Sequence, residues 1–192
     1  MSVLILGLII FLGAHSVRIF ADDWRTKQIR ILGEMKWKGI YSVFSILGLG
    51  LIIIGWGLAK QHNVVLWVPP AWTWRITAGL NLVASILLTA AYIPRNAIKT
   101  KLQHPMILGV KTWAFAHLIS NGFLSGVVLF GAFLFWAVLC FNSSRSRNSN
   151  LLTAKLKIST TSTAVTVIVG VMIWVFMALY AHQAFIGIKP II

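Results

Sequence analysis

Few side chains in this sequence can move a proton or hold a metal. The chain carries five histidines (His15, His62, His104, His117 and His182), one cysteine (Cys140) and three carboxylates (Asp22, Asp23 and Glu34). The three acids share one short stretch, so no carboxylate falls inside any apolar run. That removes paired-carboxylate acid–base catalysis, a carboxylate proton relay and most oxygen-ligand cation sites. A single cysteine forms neither an intrachain disulfide nor a cysteine-based metal cluster. No Walker loop or dinucleotide fingerprint occurs. Gly48-Leu49-Gly50 and Gly55-Trp56-Gly57 lie inside apolar helix, not after a strand, and read as helix-packing contacts. The histidines remain, and imidazole is both a proton carrier and a metal ligand.

The elements that must position them are set by hydropathy. Of 192 residues, 58% are hydrophobic and 10% charged, with 17 Lys or Arg against 3 acids and a net charge of +14. Soluble domains sit near ~45–50% apolar and ~25% charged, so this composition excludes one. The basic residues are confined to gaps between apolar runs, which points to the cytoplasmic face of a membrane and not to nucleic acid. Six apolar segments are legible: Val3–Phe20, Ile40–Ala59, Arg75–Ile93, Met106–Ser120, Phe123–Phe141 and Thr163–Ala181. A helix of about 20 residues crosses a ~30 Å hydrocarbon core, and the fourth segment is short of that. Asn121-Gly122 is a tight turn signal, so the fourth and fifth segments read as an antiparallel hairpin. The expected fold is an all-α polytopic transmembrane helical bundle of about six spans, a single domain over residues 1–192.

Charge gives the direction. Arg18, Arg25, Lys27, Arg30, Lys36 and Lys38 border or fill the first connection, Arg95, Lys99 and Lys101 the third, and Arg145, Arg147, Lys155 and Lys157 the fifth. The other side has Lys60, Arg75 and Lys189, and Lys111 falls within the fourth segment. By the positive-inside rule the odd connections are cytoplasmic and both termini face outward. The first segment has no basic stretch before it, so it reads as a retained span and not as a cleaved signal peptide. Trp24, Ile31, Leu32 and Met35 recur at helical spacing among charges, as either a short amphipathic helix in the headgroup layer or a solvated basic loop. Val68-Pro69-Pro70, with Trp67, Trp72 and Trp74, reads as an outer-face turn in an aromatic belt. Asn148–Ser159 reads as an exposed polar loop.

Depth along the spans separates the histidines. His15 lies about 18 Å in from the outer end of the first segment, and His117 about 16 Å up from the inner end of the fourth, at ~1.5 Å per residue. In a ~30 Å core they fall within roughly 5 Å of one depth. Two imidazoles so placed could ligate one haem iron from both faces, with Trp113, Phe115 and Trp136 against the macrocycle. Alternatively, each is a hydrogen-bonded packing residue. His104 and His182 are expected near opposite faces, away from that pair. His104 follows Lys99, Lys101 and Gln103 at a helix start, where an anionic group is welcome. Arg18, one turn beyond His15, reaches either a haem propionate or a lipid phosphate.

Several stretches carry a family resemblance. Gly13-Ala14-His15-Ser16-Val17-Arg18, His104-Pro105-Met106-Ile107-Leu108-Gly109, Trp113-Ala114-Phe115-Ala116-His117 running on to Asn121-Gly122, and His182-Gln183-Ala184-Phe185-Ile186-Gly187-Ile188-Lys189-Pro190 occur in the order seen in the NnrU family. The chain resembles that family over nearly its whole length. The resemblance implies a multi-pass protein of the bacterial inner membrane linked to nitrogen-oxide metabolism, in support of nitrite and nitric oxide reduction. The family is similar in turn to 15-cis-zeta-carotene isomerase, which uses haem b held by two histidines. This implies His15 and His117 as the ligands of a haem b, Arg18 beside it, and His104, His182 and Asn121 as surrounding or substrate-side residues. It also implies an apolar or polyene substrate. Departures occur at Gln103, where the family usually has a basic residue, at Phe123, where it often has an acid, and in the purely basic stretch at Arg145 and Arg147. They put an anion site or a cytoplasmic partner surface in doubt and leave the histidines untouched.

Two other classes compete. His104-Pro105 and Gly109 also resemble the S-adenosylmethionine motif of isoprenylcysteine carboxyl methyltransferases, but the region after Phe141 has no acid, and its one tyrosine is Tyr180. A cationic methyl donor would lack a carboxylate partner there. A non-enzymatic membrane scaffold or haem-dependent sensor is the third class. Substrate and oligomeric state are not written in the sequence.

Overall fold

The structure, a computed structural model, describes residues 1–148 and 158–187. The helices are α1 (Ser2–Phe20), α2 (Asp22–Leu32), α3 (Glu34–Gln61), α4 (Thr73–Tyr92), α5 (Ala97–Leu102), α6 (Pro105–Ser120), α7 (Leu124–Asn148), α8 (Thr160–Phe176) and α9 (His182–Ile186). A π-helical turn, Met177–Ala181, joins the last two. There is no strand among the described residues beyond one isolated antiparallel bridge, Val65 to Phe123. Most of the expected polar loop at 148–159, and the Ile188-Lys189-Pro190 end of the C-terminal motif, lie outside the described residues.

Five helices are long and apolar enough to cross a membrane: α1, α3, α4, α7 and the continuous Thr160–Ile186. The expected fourth segment is α6, whose 16 residues span about 24 Å at ~1.5 Å per residue. Large apolar side chains point outward, among them Ile46 at 70%, Ile53 at 64% and Ile168 at 58% exposure, whereas Ala90, Ala114, Ala116 and Ala137 are fully buried. This reverses the soluble pattern and suits helices solvated by lipid and packed through small residues. The chain is an all-α membrane protein. It divides into two compact units, residues 1–67 with 122–140 and residues 68–121 with 141–192.

In the first unit α1 and α3 pack antiparallel along a glycine seam. A Cβ on Gly7 would lie 2.6 Å from the Ile52 amide, and one on Gly48 would lie 2.7 Å from the Phe11 amide. Gly55 faces Leu4 in the same way. The packing role expected for the glycine pairs therefore holds for Gly48 and Gly55, while Gly50 and Gly57 meet nothing. α3 begins six residues before the apolar run does, at Glu34 directly after Gly33, and Glu34 and Lys38 pair across its first turn at 2.7 Å. The amphipathic reading of the first connection is realised in part as α2, with Trp24 and Ile31 exposed; the break at Gly33, at positive φ, puts exposed Met35 in the first turn of α3 instead. Beyond α3, the chain is tied to the start of α7. Asn63 bonds Ser125 through both its amide nitrogen (2.6 Å to Oγ) and its oxygen (3.1 Å from the amide nitrogen).

In the second unit α4 lies between α6 and α8. Gly109 of α6 meets Leu88 and the Ala84 carbonyl, and Gly170 of α8 meets Ile86. The Thr77 hydroxyl donates to the Ala116 carbonyl (2.9 Å) and the Ser85 hydroxyl to the Gly170 carbonyl (2.8 Å). Fully buried Asn96 joins α4 to α5. Its amide donates to the carbonyls of Ala90 and Ile93, and its oxygen accepts from the Lys99 amide.

Candidate functional site

Two of the five histidines have the same local construction. In α1, Nδ1 of His15 lies 2.7 Å from the Phe11 carbonyl oxygen. In α6, Nδ1 of His117 lies 2.8 Å from the Trp113 carbonyl oxygen. A carbonyl only accepts, so in both rings Nδ1 carries the proton and the lone pair sits on Nε2. Each histidine also meets the ring of the residue whose carbonyl it binds: Phe11 stacks on His15 at 4.2 Å, and Trp113 tilts against His117 at 5.2 Å. An aromatic residue four positions before the histidine of an Ala-His pair therefore sets tautomer and ring orientation twice. Outer partners of metal-ligating imidazoles act in this way.

His15 sits five residues before the end of α1. Around it stand Tyr41 at 5.1 Å and Trp136, edge-on at 6.1 Å. Trp136 Nε1 is buried without a hydrogen-bond partner among the described residues. An indole N–H in that state carries an uncompensated desolvation cost of about 1–3 kcal/mol, which an acceptor on a bound group would remove. Arg18, expected near His15, lines the same cleft as His15 and Tyr41.

His117 lies three residues before the end of α6. His182, just after the π-helical turn, is within electrostatic reach of it. Depth along the spans predicts His182 apart from His117. The shortness of α6 brings His117 near that helix's end, and the π turn resets the register in which His182 emerges. Asn121 follows in extended backbone as the C-cap residue of α6.

His104 precedes buried Pro105 at the start of α6. Its ring meets Phe141 edge-on at 6.2 Å. Burial, and then the Arg147 guanidinium, push its pKa below the usual histidine value, opposed by a hydrogen bond to the Ser144 backbone. Lys111, the cation left within the fourth segment, lies over the same Phe141 ring at 5.8 Å, as does Arg145. His62 is exposed. Of the aromatics expected beside the histidines, Trp136 stands at His15 and Trp113 at His117, while Phe115 is 48% exposed. Tyr41 was not singled out by sequence reasoning. Its position in α3 is predictable only once the glycine seam sets the register against α1.

No group of three or more His, Cys, Asp or Glu that could hold a metal ion occurs among the described residues. A haem iron asks for only one or two protein ligands. The donor chemistry present, two imidazoles held at Nδ1 by a carbonyl beside aromatic rings and an indole N–H with no acceptor among the described residues, fits such a group.

Helices of this length and apolarity, with small residues at their contacts, define a multi-pass membrane protein. The family described as NnrU protein matches residues 3–190, and the chain belongs to that family. No curated protein and no solved structure matches the chain.

Proposed function

We propose that this NnrU-family protein binds haem b, with His15 and His117 as its iron ligands, and serves nitrogen-oxide metabolism in the bacterial inner membrane. The observation that carries the reading is the repeated histidine construction, in which a carbonyl four residues back holds Nδ1 and leaves the lone pair on Nε2. The indole N–H of Trp136 beside His15 supports it. When bound, the group would supply one-electron chemistry or a Lewis-acidic iron toward a diatomic or polyene ligand. The chain's own part is to fix two ring planes, exclude water with aromatic side chains and keep carboxylates out of the spans. His182 is the second imidazole within electrostatic reach of His117. A polyene is as apolar as the macrocycle, so cis–trans isomerisation is a second reading of the same site.

α6 crosses the membrane with its neighbours in this proposal, the extended residues after Ser120 completing the distance, so that both termini face outward. A C-terminal reporter active only in the cytoplasm should then stay silent, and an active one would require an odd number of crossings. The methyltransferase reading has less support, because the region after Phe141 has no acid to pair with a cationic methyl donor and its one tyrosine is Tyr180.

The ligand assignment is tested by purifying His15→Ala, His117→Ala and His62→Ala after expression with haem precursor. Loss of the Soret band in the first two and its retention in the third is expected. A full Soret band in both of the first two would refute the assignment.

A further inference from the structure

A cleft of about 360 Å³ opens where the ends of α1, α2 and α3 meet. That is the volume of roughly a dozen waters at ~30 Å³ each, enough for a small head group and its first carbons. Three cations line it (Arg18, Arg25 and Lys38) against one carboxylate, Glu34, with Trp37 and Tyr41 as apolar walls. The basic side chains are held by short-range internal partners that a stronger anion could replace: Lys38 by Glu34 at 2.7 Å, and Arg25 by Asp22 at 3.5 Å. Both pairs are partly exposed, so each is worth little by itself.

The surroundings of the mouth narrow the choice of occupant. Phe20, Trp24, Ile31 and Met35 are 72%, 52%, 65% and 80% exposed, and Trp24 meets Trp37 edge-on at 5.7 Å. Apolar and indole side chains exposed on the same three helices as a cationic cleft at a span's end belong at the depth of lipid headgroups. A water-soluble anion has no use for those side chains, whereas an anionic head on an apolar body uses both parts. We propose that this cleft binds the phosphate or carboxylate head of an anionic amphiphile. Arg25 and Lys38 are its principal contacts, and Glu34 is a built-in competitor. Two sources offer that chemistry, an anionic phospholipid and the propionates of a haem. The phospholipid source does not depend on the haem reading, whereas the propionate source rests on it, since His15 lines the same cleft.

The test uses the full chain in detergent. Native mass spectrometry with phosphatidylglycerol and phosphatidylcholine reads the first source, and titration with haem and with its dimethyl ester, which lacks propionate charge, reads the second. The double variant Arg25→Gln/Lys38→Gln should weaken one anionic ligand about tenfold or more, the loss expected for a charged hydrogen bond or two, and leave the neutral counterpart unchanged. Whichever ligand responds identifies the source. Glu34→Gln should strengthen the same ligand, a gain that misfolding cannot imitate. His117→Ala, in the other unit, should lose haem and keep phosphatidylglycerol, which separates failure here from failure of the haem assignment. Equal binding of both anionic ligands to wild type and the double variant would overturn the proposal. So would an equal loss in Lys27→Gln/Lys36→Gln, whose cations lie nearby but outside the cleft, because diffuse attraction would then suffice.

Discussion

His15 and Phe11 are joined twice, by a 2.7 Å hydrogen bond from Nδ1 to the Phe11 carbonyl and by ring stacking at 4.2 Å. The first contact sets the tautomer and the second sets the plane of the imidazole. Phe11→Ala removes only the second. It is expected to lower haem affinity roughly tenfold, the low end for outer partners of metal ligands, in a haem titration followed at the Soret band. Affinity equal to wild type would show that the stack does not orient the ligand.

The α1–α3 seam predicts a sharp contrast between neighbouring glycines. Gly48→Ala drives a methyl against the Phe11 backbone, whereas Gly50→Ala enters open space. The first should cost about 1–3 kcal/mol, as overpacking does. The second should be neutral or mildly stabilising, since alanine is the better helix former by ~1 kcal/mol. Denaturation midpoints in mixed micelles would read both. Equal effects would mean that the helices are not in that register.

Asn96 satisfies two carbonyls at the end of α4 and one amide at the start of α5 while fully buried. Asn96→Ala leaves those groups without it and should cost roughly 3 kcal/mol, the upper range for removing one partner of a buried hydrogen bond. The same denaturation midpoint checks it, and a cost below about 0.5 kcal/mol, the usual scatter of surface changes, would contradict the capping role.

These residues also mark how far the sequence could be read. The apolar runs gave the long helices because lipid demands about 20 apolar residues whatever their neighbours. Helix ends were less visible: α3 starts at Glu34, inside what hydropathy counts as a polar connection, because helical backbone continues through polar residues that hydropathy does not distinguish from a loop. His15 and His117 stood out by type and depth. Their shared carbonyl and aromatic contacts are local, four residues back, and were already present as Phe11 and Trp113. What hydropathy could not supply was register between helices. That hid Tyr41 at His15, the approach of His182 to His117 after a π turn, and the meeting of Arg25 and Lys38 in one cleft. Asn96 was unremarkable in sequence, because an asparagine after a proline and an arginine reads only as a turn.

His104 predicts a pH dependence outside the spans. Burial and Arg147 hold its pKa below the ordinary histidine value of about 6.5, so the unfolded chain binds this proton more readily than the folded one. Stability is then fully present above about pH 6.5 and declines as pH falls through the folded-state pKa. The partial exposure of His104 keeps the effect modest. Thermal unfolding between pH 8 and pH 5 should show a decline that is smaller in Arg147→Gln and absent in His104→Asn. A decline of the same size in His104→Asn would place the sensitive group elsewhere.

The most direct measurement is a pair of absorption spectra, oxidised and dithionite-reduced, of the detergent-purified wild-type protein expressed with haem precursor. The account predicts a Soret band with sharp α and β bands on reduction, the signature of low-spin iron with two strong axial ligands. A colourless protein that takes up no added haem would contradict it.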